Sequence, residues 1–290
     1  MIYSEIFRSI QGEGLYTGEL SLWYRSYLCN LTCAGFNQPD PTDKSSYFPV
    51  GADVSLIGVT NITDIPVFEF GCDSAYSVAK KFKNLQYKEA PEEVASKLDN
   101  LLPIQGTWVN EDYNFHMVFT GGEPLLRRSQ KDLVKLFQVW ENRADGERPT
   151  HITFETNGTQ KIIPELLECL KKDYIKEVLM SYSPKLFTVS GEENSRAIKP
   201  DVIKGNIQSL DKANYLLKFV VNQDERCWVE LEDVITQIGL GKKNVWLMPV
   251  GGRLETQEAT AGDVADIAIS KGYKVSARVH NYLWANEVGK

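Results

Sequence analysis

The sequence predicts an α/β fold built on a mainly parallel sheet. Short apolar runs alternate with helix-like segments along most of the 290 residues. This alternation is typical of βαβ units with right-handed crossovers. Polar, glycine-containing motifs begin where the apolar runs stop, as expected when parallel strands end at one ligand-binding edge. A chain of this length can bury a sizeable core, as one large domain or two small ones.

The individual elements follow from the spacing of apolar residues, which is two in a half-buried strand and three to four in a helix. Strands are predicted at 22–28, 115–119, 151–154, 175–180, 215–221, 244–248 and 273–280. One helix is predicted to begin at Ala90 and another at Ser129, where Asp132 completes a pattern like a capping box. Further helices are predicted at 164–172, 224–239 and about 257–271. Residues 186–205 lack a clear period and receive no assignment.

Charge and composition exclude several classes of function. The net charge of −7 argues against nucleic acid as a direct partner. No apolar stretch approaches the roughly 20 residues that cross a bilayer, and the first residues lack the features of a signal peptide. Five cysteines without an even framework favour a reducing compartment, which predicts a cytoplasmic location.

Cys29 and Cys33 follow the first apolar run, with three residues between them. Two thiols at this spacing can reach one soft metal centre, because thiolates are the usual ligands of iron–sulfur clusters and of structural zinc. Plain packing or a zinc pair is the alternative for these two residues. Cys169 and Cys227 lie in or near helical patterns and are interpreted as structural.

The cysteine spacing resembles the start of the C-x3-C-x2-C motif of radical S-adenosylmethionine (SAM) enzymes. The third cysteine of that motif would be residue 36, which is Phe. Residues 71–77 resemble the Cys-Asp-Thr-x-Tyr segment that the third cysteine opens in one branch of this superfamily, with Cys72 in its place. We therefore interpret 36–70, rich in Pro, Asp, Thr and Ser, as a surface insertion between the second and third ligands. The predicted organisation is a single radical SAM domain, 1–290, that carries this insertion.

Residues 9–14, Ser-Ile-Gln-Gly-Glu-Gly, precede a strand, Arg25 and Cys-Asn-Leu-x-Cys. This combination resembles the N-terminus of the 7-carboxy-7-deazaguanine synthases of queuosine and 7-deazapurine biosynthesis. The resemblance implies an open, partial (β/α)6-type barrel. It also implies a lyase that contracts the ring of 6-carboxy-5,6,7,8-tetrahydropterin to 7-carboxy-7-deazaguanine, with loss of ammonia. A 5′-deoxyadenosyl radical, made from SAM at a 4Fe–4S cluster, would initiate the reaction.

The same resemblance implies which residues bind the cofactors. Three cysteines would hold the cluster and leave one iron open for SAM: Cys29, Cys33 and Cys72. Motifs at predicted strand ends imply contacts with SAM from Gly121, Gly122, Glu123, Glu155, Asn157, Ser183 and Lys185. In isolation, Glu123 could instead cap a strand–helix turn. Mg²⁺ is implied at Ser74, which stands where the family usually has Thr.

The substrate contacts implied by the family are Gln11, Gly12, Glu13, Arg25, Arg278 and His280. A pterin presents a guanine-like donor edge, and a carboxylate such as Glu13 can accept from it. The guanidinium of Arg25 suits the substrate carboxylate, which it can bind in a bidentate manner. A structural ion pair is the alternative for Arg25, because an unpaired buried charge is costly.

The implied partners are the small-molecule substrate, a reductant such as flavodoxin and, by analogy alone, a second copy in a homodimer. Two other interpretations stay open. One is another radical SAM enzyme, such as a glycyl-radical activase, against which the Gln-Gly-Glu-Gly segment and His280 argue. The other is a catalytically inactive protein that uses cysteines for zinc or for no metal, which Phe36 keeps open.

Overall fold

A nine-stranded sheet forms the centre of the computed structural model, which describes residues 1–51, 54–211 and 213–290. The strands are β1 Ile2–Ile10, β2 Leu20–Ser26, β3 Tyr87–Lys88, β4 His116–Gly121, β5 His151–Thr156, β6 Glu177–Tyr182, β7 Ala213–Val221, β8 Val245–Pro249 and β9 Lys274–Val275. Their order is β3-β1-β2-β4-β5-β6-β7-β8-β9. β1 is antiparallel to both of its neighbours, whereas every pair from β2 to β9 is parallel.

Helices connect the parallel strands, as the alternation of the sequence predicted. They are α1 Pro91–Asp99, α2 Arg127–Glu141, α3 Pro164–Leu170, α4 Phe187–Ser190, α5 Asn194–Ala197, α6 Pro200–Gln208, α7 Glu225–Ile238, α8 Leu254–Ser270 and α9 Val279–Trp284. The mainly parallel α/β class is confirmed. The stretch 186–205, which received no assignment, contains α4, α5 and the start of α6. None of the helices within the described ranges is long and apolar enough to cross a bilayer.

The predicted start of α2 at Ser129 is wrong, because the helix begins two residues earlier, at Arg127. A turn centred on Glu123 starts it. The Leu125 amide donates to the Glu123 carboxylate (2.9 Å), and the Leu126 amide donates to the Glu123 carbonyl (3.3 Å). Ser129 is therefore an internal, buried residue of the helix and caps nothing.

The predicted strand at 273–280 is mostly wrong, since only Lys274 and Val275 pair with β8. After them the chain leaves the sheet and contacts the loop that follows β1. The Val279 amide donates to the Gly12 carbonyl (3.0 Å), and α9 begins at that residue. His280 is thus on a short helix beside the N-terminal loop, and the extended pattern of the sequence did not predict this.

The two faces of the sheet have different partners, because successive side chains of a strand point to opposite sides. The outer face packs on the helices and builds the main apolar core. On the inner face, Phe7, Trp23 and Val118 form a small apolar cluster. Two residues further along their strands, the inner positions are Arg25 and Thr120, which are polar. The polar lining therefore begins near the carboxyl ends of the parallel strands.

The segment around 50–85 has a small core of its own. Its buried members are Ile62, Ile65, Phe68, Ala75, Tyr76 and Phe82. The segment is thus packed internally as well as joined to the main domain. Its assignment as an insertion into a single domain stays a prediction.

Two histidines stack at the opposite end of the sheet, where β4 and β5 begin. The rings of His116 and His151 are 4.8 Å apart and nearly parallel. His116 is only 7% exposed, as expected for a packed histidine inside a strand. Burial lowers the pKa of His116 from 6.5 to about 4, and the neighbouring His151 makes a smaller contribution in the same direction. Burial also lowers the pKa of His151.

We expect this pair to make the fold less stable in acid. Between the folded and ordinary pKa of His116, the unfolded chain binds more protons, so the free energy of unfolding falls as the pH falls. The loss between pH 7 and pH 5 should be roughly 1–2 kcal/mol from His116. Urea unfolding at both pH values should show a smaller loss for His116→Gln. An equal loss in the two proteins would contradict this assignment.

Candidate active site

A cavity of about 250 Å³ opens at the carboxyl ends of the parallel strands. Most of the residues that the sequence predicted to bind ligands line it. They are Gln11, Glu13, Arg25, Cys29, Cys33, Cys72, Ser74, Gly121, Gly122, Glu155, Asn157, Ser183, Lys185, Arg278 and His280. Gly12 and Glu123 lie behind this lining. The topology therefore brings together segments that are far apart in the sequence.

Three of the five cysteines share this cavity. Cys29, Cys33 and Cys72 pack in one small cluster with Leu31 and Phe36. All three are free thiols. Burial raises the pKa of the Cys29 thiol to about 11 and that of Cys72 to about 12. Burial also raises the pKa of Cys33 well above its ordinary value, with smaller contributions from the other two thiols.

Two hydrogen bonds to backbone carbonyls hold Cys72 near the other two cysteines. The Gly71 amide donates to the Phe36 carbonyl (2.8 Å), and the Asn37 side-chain amide donates to the Glu69 carbonyl (2.9 Å). The chain thus leaves and returns at adjacent points around residues 36–71. Cys72 consequently lies next to Phe36, where the uninterrupted motif would have its third cysteine.

Glu192 holds the loop between the first two cysteines. Its Oε1 accepts from the Thr32 amide (2.6 Å), the Thr32 hydroxyl (2.7 Å) and the Cys33 amide (2.8 Å). Although burial opposes it, these donors lower the pKa of Glu192. Cys33 itself has φ 48°, in the left-handed region that non-glycine residues rarely adopt. Glu192 therefore fixes an unusual backbone conformation at a cysteine of the site.

Gly122 allows the loops after β2 and β4 to touch. A Cβ atom on Gly122 would lie 2.0 Å from the Leu28 carbonyl oxygen. The Gly122 amide donates to the Ser26 carbonyl (3.0 Å), and the next amide, of Glu123, donates to the Leu28 carbonyl (2.8 Å). Any side chain at Gly122 would separate the cysteine loop from β4.

The Glu123 carboxylate is used inside the protein. It is fully buried and accepts from the Thr156 hydroxyl (2.7 Å) and from the amides of Asn157 (2.8 Å) and Leu125 (2.9 Å). This geometry is the cap that the sequence left open as an alternative. A contact between Glu123 and SAM stays a prediction, to which these carboxylate oxygens give no support.

Arg25 forms an ion pair beside the cavity. Its Nε is 2.5 Å from Glu5 Oε1, and its Nη1 donates to the Ser74 hydroxyl (2.9 Å). Tyr76 also donates to Glu5 (2.7 Å). The ion pair is the alternative that the sequence left open, and Arg25 lines the cavity as well. A role for Arg25 in substrate binding stays a prediction.

A second group of charges surrounds the N-terminal loop. Arg278 pairs with Asp73 (2.6 Å) and lies 3.6 Å from Glu13. Lys218 donates to Glu13 from the other side. Although burial opposes it, Lys218 and then Arg278 lower the pKa of Glu13 to about 2. The Glu13 carboxylate is therefore ionised throughout the neutral range.

The ring of His280 lies against Gly12. A Cβ atom on Gly12 would be 2.2 Å from His280 Nδ1, so only glycine permits this contact. Burial lowers the pKa of His280, which favours the neutral imidazole. Gly12 thus shapes the site through the position of His280.

Lys185 differs from the other cations of the cavity. Its ammonium donates to the Ser183 hydroxyl (2.8 Å) and lies 5.7 Å from the centre of the Phe36 ring. Within the described residues, no carboxylate lies within ion-pair distance of it. Lys185 is therefore available to an anionic ligand group.

The sequence analysis missed Lys218 and Glu192. Lys218 is a single charged residue in the otherwise apolar run 215–221, and this was a usable signal. Glu192 lies in the stretch without a period, so no pattern indicated its contact with the cysteine loop.

Comparison with known proteins finds relatives that align over nearly the whole chain. The chain is 27% identical to a 7-carboxy-7-deazaguanine synthase of Rhodopirellula baltica, over all of the chain and 88% of that protein. It is 26% identical to one of Halobacterium salinarum, over 97% and 89%. Over nearly its full length the chain is thus similar to proteins named 7-carboxy-7-deazaguanine synthase. No protein-family profile matches it.

A solved structure supports the fold of this family. QueE from Escherichia coli aligns with a TM-score of 0.50 at 19% identity, over 96% of this chain and 94% of that one. The match agrees with the radical SAM fold expected from the sequence.

The donor set fits the iron–sulfur cluster of this family. Cys33 is buried, Cys29 and Cys72 are partly buried, and the positive charge of a metal would favour loss of the protons that their raised pKa values otherwise retain. Within the described ranges, no three His, Cys, Asp or Glu side chains are arranged around a single ion. A cluster differs from such a site because each cysteine binds a different iron.

We expect Gly122→Ala to damage the cysteine loop, because the new methyl group would collide with the Leu28 carbonyl. The free energy of unfolding should fall by about 1–3 kcal/mol, and less iron should bind. Gly262→Ala is the matched control, since a Cβ atom there meets nothing in the exposed face of α8. That control should raise the free energy of unfolding by up to about 1 kcal/mol. Normal iron content in Gly122→Ala would contradict the proposed contact.

We expect Cys72→Ala to lose the cluster. After anaerobic reconstitution, the wild-type protein should bind about four irons per chain. Cys169→Ala, which removes a buried thiol outside the cavity, should bind as much iron as the wild type. Iron analysis and the visible absorption spectrum measure both variants. Full iron in Cys72→Ala would refute the assignment of the third ligand.

Proposed function

We propose that this protein is a radical SAM lyase that converts 6-carboxy-5,6,7,8-tetrahydropterin to 7-carboxy-7-deazaguanine. The observation that carries the proposal is the cavity in which three thiols lie beside a buried carboxylate and several cations. Full-length similarity to synthases of this name supports the reaction. When bound, the cluster and SAM supply the 5′-deoxyadenosyl radical that starts the chemistry.

Glu13 suits the donor edge of the pterin. It is ionised, it lines the cavity, and its backbone amide is held by the Gln11 side chain (3.0 Å). An ionised carboxylate offers only acceptors, so it matches the adjacent N–H groups of a 2-amino-4-oxo ring. The opposite end of the substrate, a carboxylate, would be attracted by Arg25.

Lys185 suits the carboxylate of SAM, because its ammonium has a hydroxyl partner and no carboxylate within ion-pair distance among the described residues. Gly121 and Gly122 also line the cavity. The thiols Cys29, Cys33 and Cys72 would hold the cluster.

We include Mg²⁺ in the proposal only if the bound small molecules supply some of its oxygen ligands. The Ser74 hydroxyl accepts from Arg25 (2.9 Å) and donates to Asp73 (3.2 Å), which leaves one lone pair of its oxygen for a further ligand. A Mg²⁺ ion prefers several hard oxygen ligands. The protein residues alone do not provide them, and we assign no step to the ion.

The proposed partners are the carboxypterin and a one-electron donor such as flavodoxin. The donor is proposed because the cluster would have to be reduced. The thiols must stay reduced to bind iron, so we propose a reducing compartment such as the cytoplasm. We also propose a homodimer, on family analogy alone. A glycyl-radical activase would need access for a protein segment, and a cavity of about 250 Å³ suits a small molecule better.

The test is product formation by the reconstituted, reduced protein given SAM and the carboxypterin. We expect 7-carboxy-7-deazaguanine and ammonia, detected by mass spectrometry and an ammonia assay. Cleavage of SAM without either product would overturn the proposed substrate. An absence of SAM cleavage by protein that contains the full cluster would favour the inactive alternative.

Arg25 can be tested in the same assay without leaving Glu5 unpaired. We expect Glu5→Gln to retain turnover, because Arg25 keeps its place beside the cavity. The double variant Glu5→Gln with Arg25→Gln should still cleave SAM but lose at least about tenfold in product formation, since a charged contact with the substrate is gone. Equal turnover in the two variants would exclude a role for Arg25 in substrate binding and leave only its ion pair with Glu5.

A further inference from the structure

Lys218 is a buried charge on a strand that is otherwise apolar. It is 6% exposed, and its neighbours Leu217 and Phe219 point to the opposite face, into the main core. A buried ammonium is costly unless it is paired. Although burial opposes it, Glu13 and Glu155 raise the pKa of Lys218. The lysine is therefore charged where the strand faces the cavity.

Three residues, Gln11, Glu13 and Glu155, form a closed ring of contacts with this ammonium. Lys218 donates to Glu13 Oε2 and lies 3.7 Å from Glu155 Oε1. Gln11 Nε2 donates to the same Glu155 oxygen (3.3 Å), and Gln11 Oε1 accepts from the Glu13 amide (3.0 Å). The ring connects the loop after β1 with the ends of β5 and β7.

Few other charges face this ring. Arg278 is 3.6 Å from Glu13 Oε1, but Asp73 shares it (2.6 Å). His280 also acts on Glu13, and burial favours its neutral form. Glu155 has Thr120 as a further donor (3.2 Å), which is uncharged. Lys218 is thus the cation that the two carboxylates share.

We infer that Lys218 sets the specificity for the donor edge of the ligand, as a positioning residue that keeps Glu13 an ionised, oriented acceptor. The inference rests on the proposed function. Without the ammonium, Glu13 would keep only Arg278, and Glu155 would keep no cation within ion-pair distance in the described residues. These two neighbouring like charges would favour uptake of a proton by the pair. A protonated Glu13 can donate as well as accept, so it no longer requires two adjacent N–H groups on the ligand.

Two probes separate these states. 6-Carboxypterin presents an amino group at position 2, whereas 6-carboxylumazine presents an oxygen there. Calorimetry on the reconstituted protein with SAM and without reductant measures the Kd of each, because no turnover occurs. Measurements between roughly pH 5.5 and 7.5 span the range in which a carboxyl with a raised pKa would titrate.

We expect the wild type to bind carboxypterin with a Kd that changes little with pH, and carboxylumazine at least about a hundredfold more weakly. In Lys218→Met, carboxypterin should bind about tenfold more weakly at the acid end than at the neutral end. The preference over carboxylumazine should shrink in parallel. Lys218→Arg should restore both properties, and Lys243→Met, at an exposed lysine outside the cavity, should match the wild type.

Iron content and melting temperature establish that each variant is folded and loaded. If Lys218→Met does not fold, Lys218→Met with Glu155→Gln removes one cation and one carboxylate together. Its comparison with Glu155→Gln alone then tests the same effect. If a folded variant without Lys218 keeps both the preference for carboxypterin and the pH dependence of the wild type, the inference is wrong. The proposed function would not be affected by that result. Failure of the wild type to bind carboxypterin would overturn the proposed function, and this inference with it.

Discussion

The backbone contact between the loops after β2 and β4 is the constraint on which the site depends. Leu28 accepts from the Glu123 amide, and the missing side chain of Gly122 lets the two loops approach. The contact fixes the direction in which the chain leaves β2 toward Cys29. Because β2 and β4 are parallel neighbours, it also aligns the cysteine loop with the edge where the other strands end. The thiols and the polar inner residues therefore face one cavity.

Electrostatic balance decides which groups of that cavity can serve a ligand. Arg25 has Glu5, Arg278 has Asp73, and Lys218 has Glu13 and Glu155. Such pairing is necessary because the charges are largely withdrawn from water. In the described part of the chain, a few charged groups of the site are exceptions to this pairing and can still form a hydrogen bond or an ion pair. Lys185 has only a hydroxyl partner, and Glu5 Oε2 and Arg278 Nε are buried without a hydrogen-bond partner.

The sequence was sufficient for the fold class and for most of the lining. Alternating apolar runs and helical patterns identify β4 to β8, and motifs at strand ends converge because parallel strands share an edge. It was insufficient where tertiary contacts override local pattern. Residues 276–280 have the pattern of a strand, but the Gly12 carbonyl draws Val279 out of the sheet. Pairings such as Arg25 with Glu5 depend on the register of β1 against β2, which composition does not specify.

The packing of Cys72 with Cys29 and Cys33 shows how residues far apart in the sequence are held close together in space. Lengthening the connection between Cys33 and Cys72 from two residues to several tens costs only about 2 kcal/mol, because closure entropy grows with the logarithm of length. Burying a single large apolar side chain contributes about 1.5–3 kcal/mol, and the segment buries several, including Ile62 and Phe68. Its own packing can therefore offset the cost of closure. The hydrogen bond between the Gly71 amide and the Phe36 carbonyl holds the two ends of this segment together. That bond does not depend on the length of chain between the two residues.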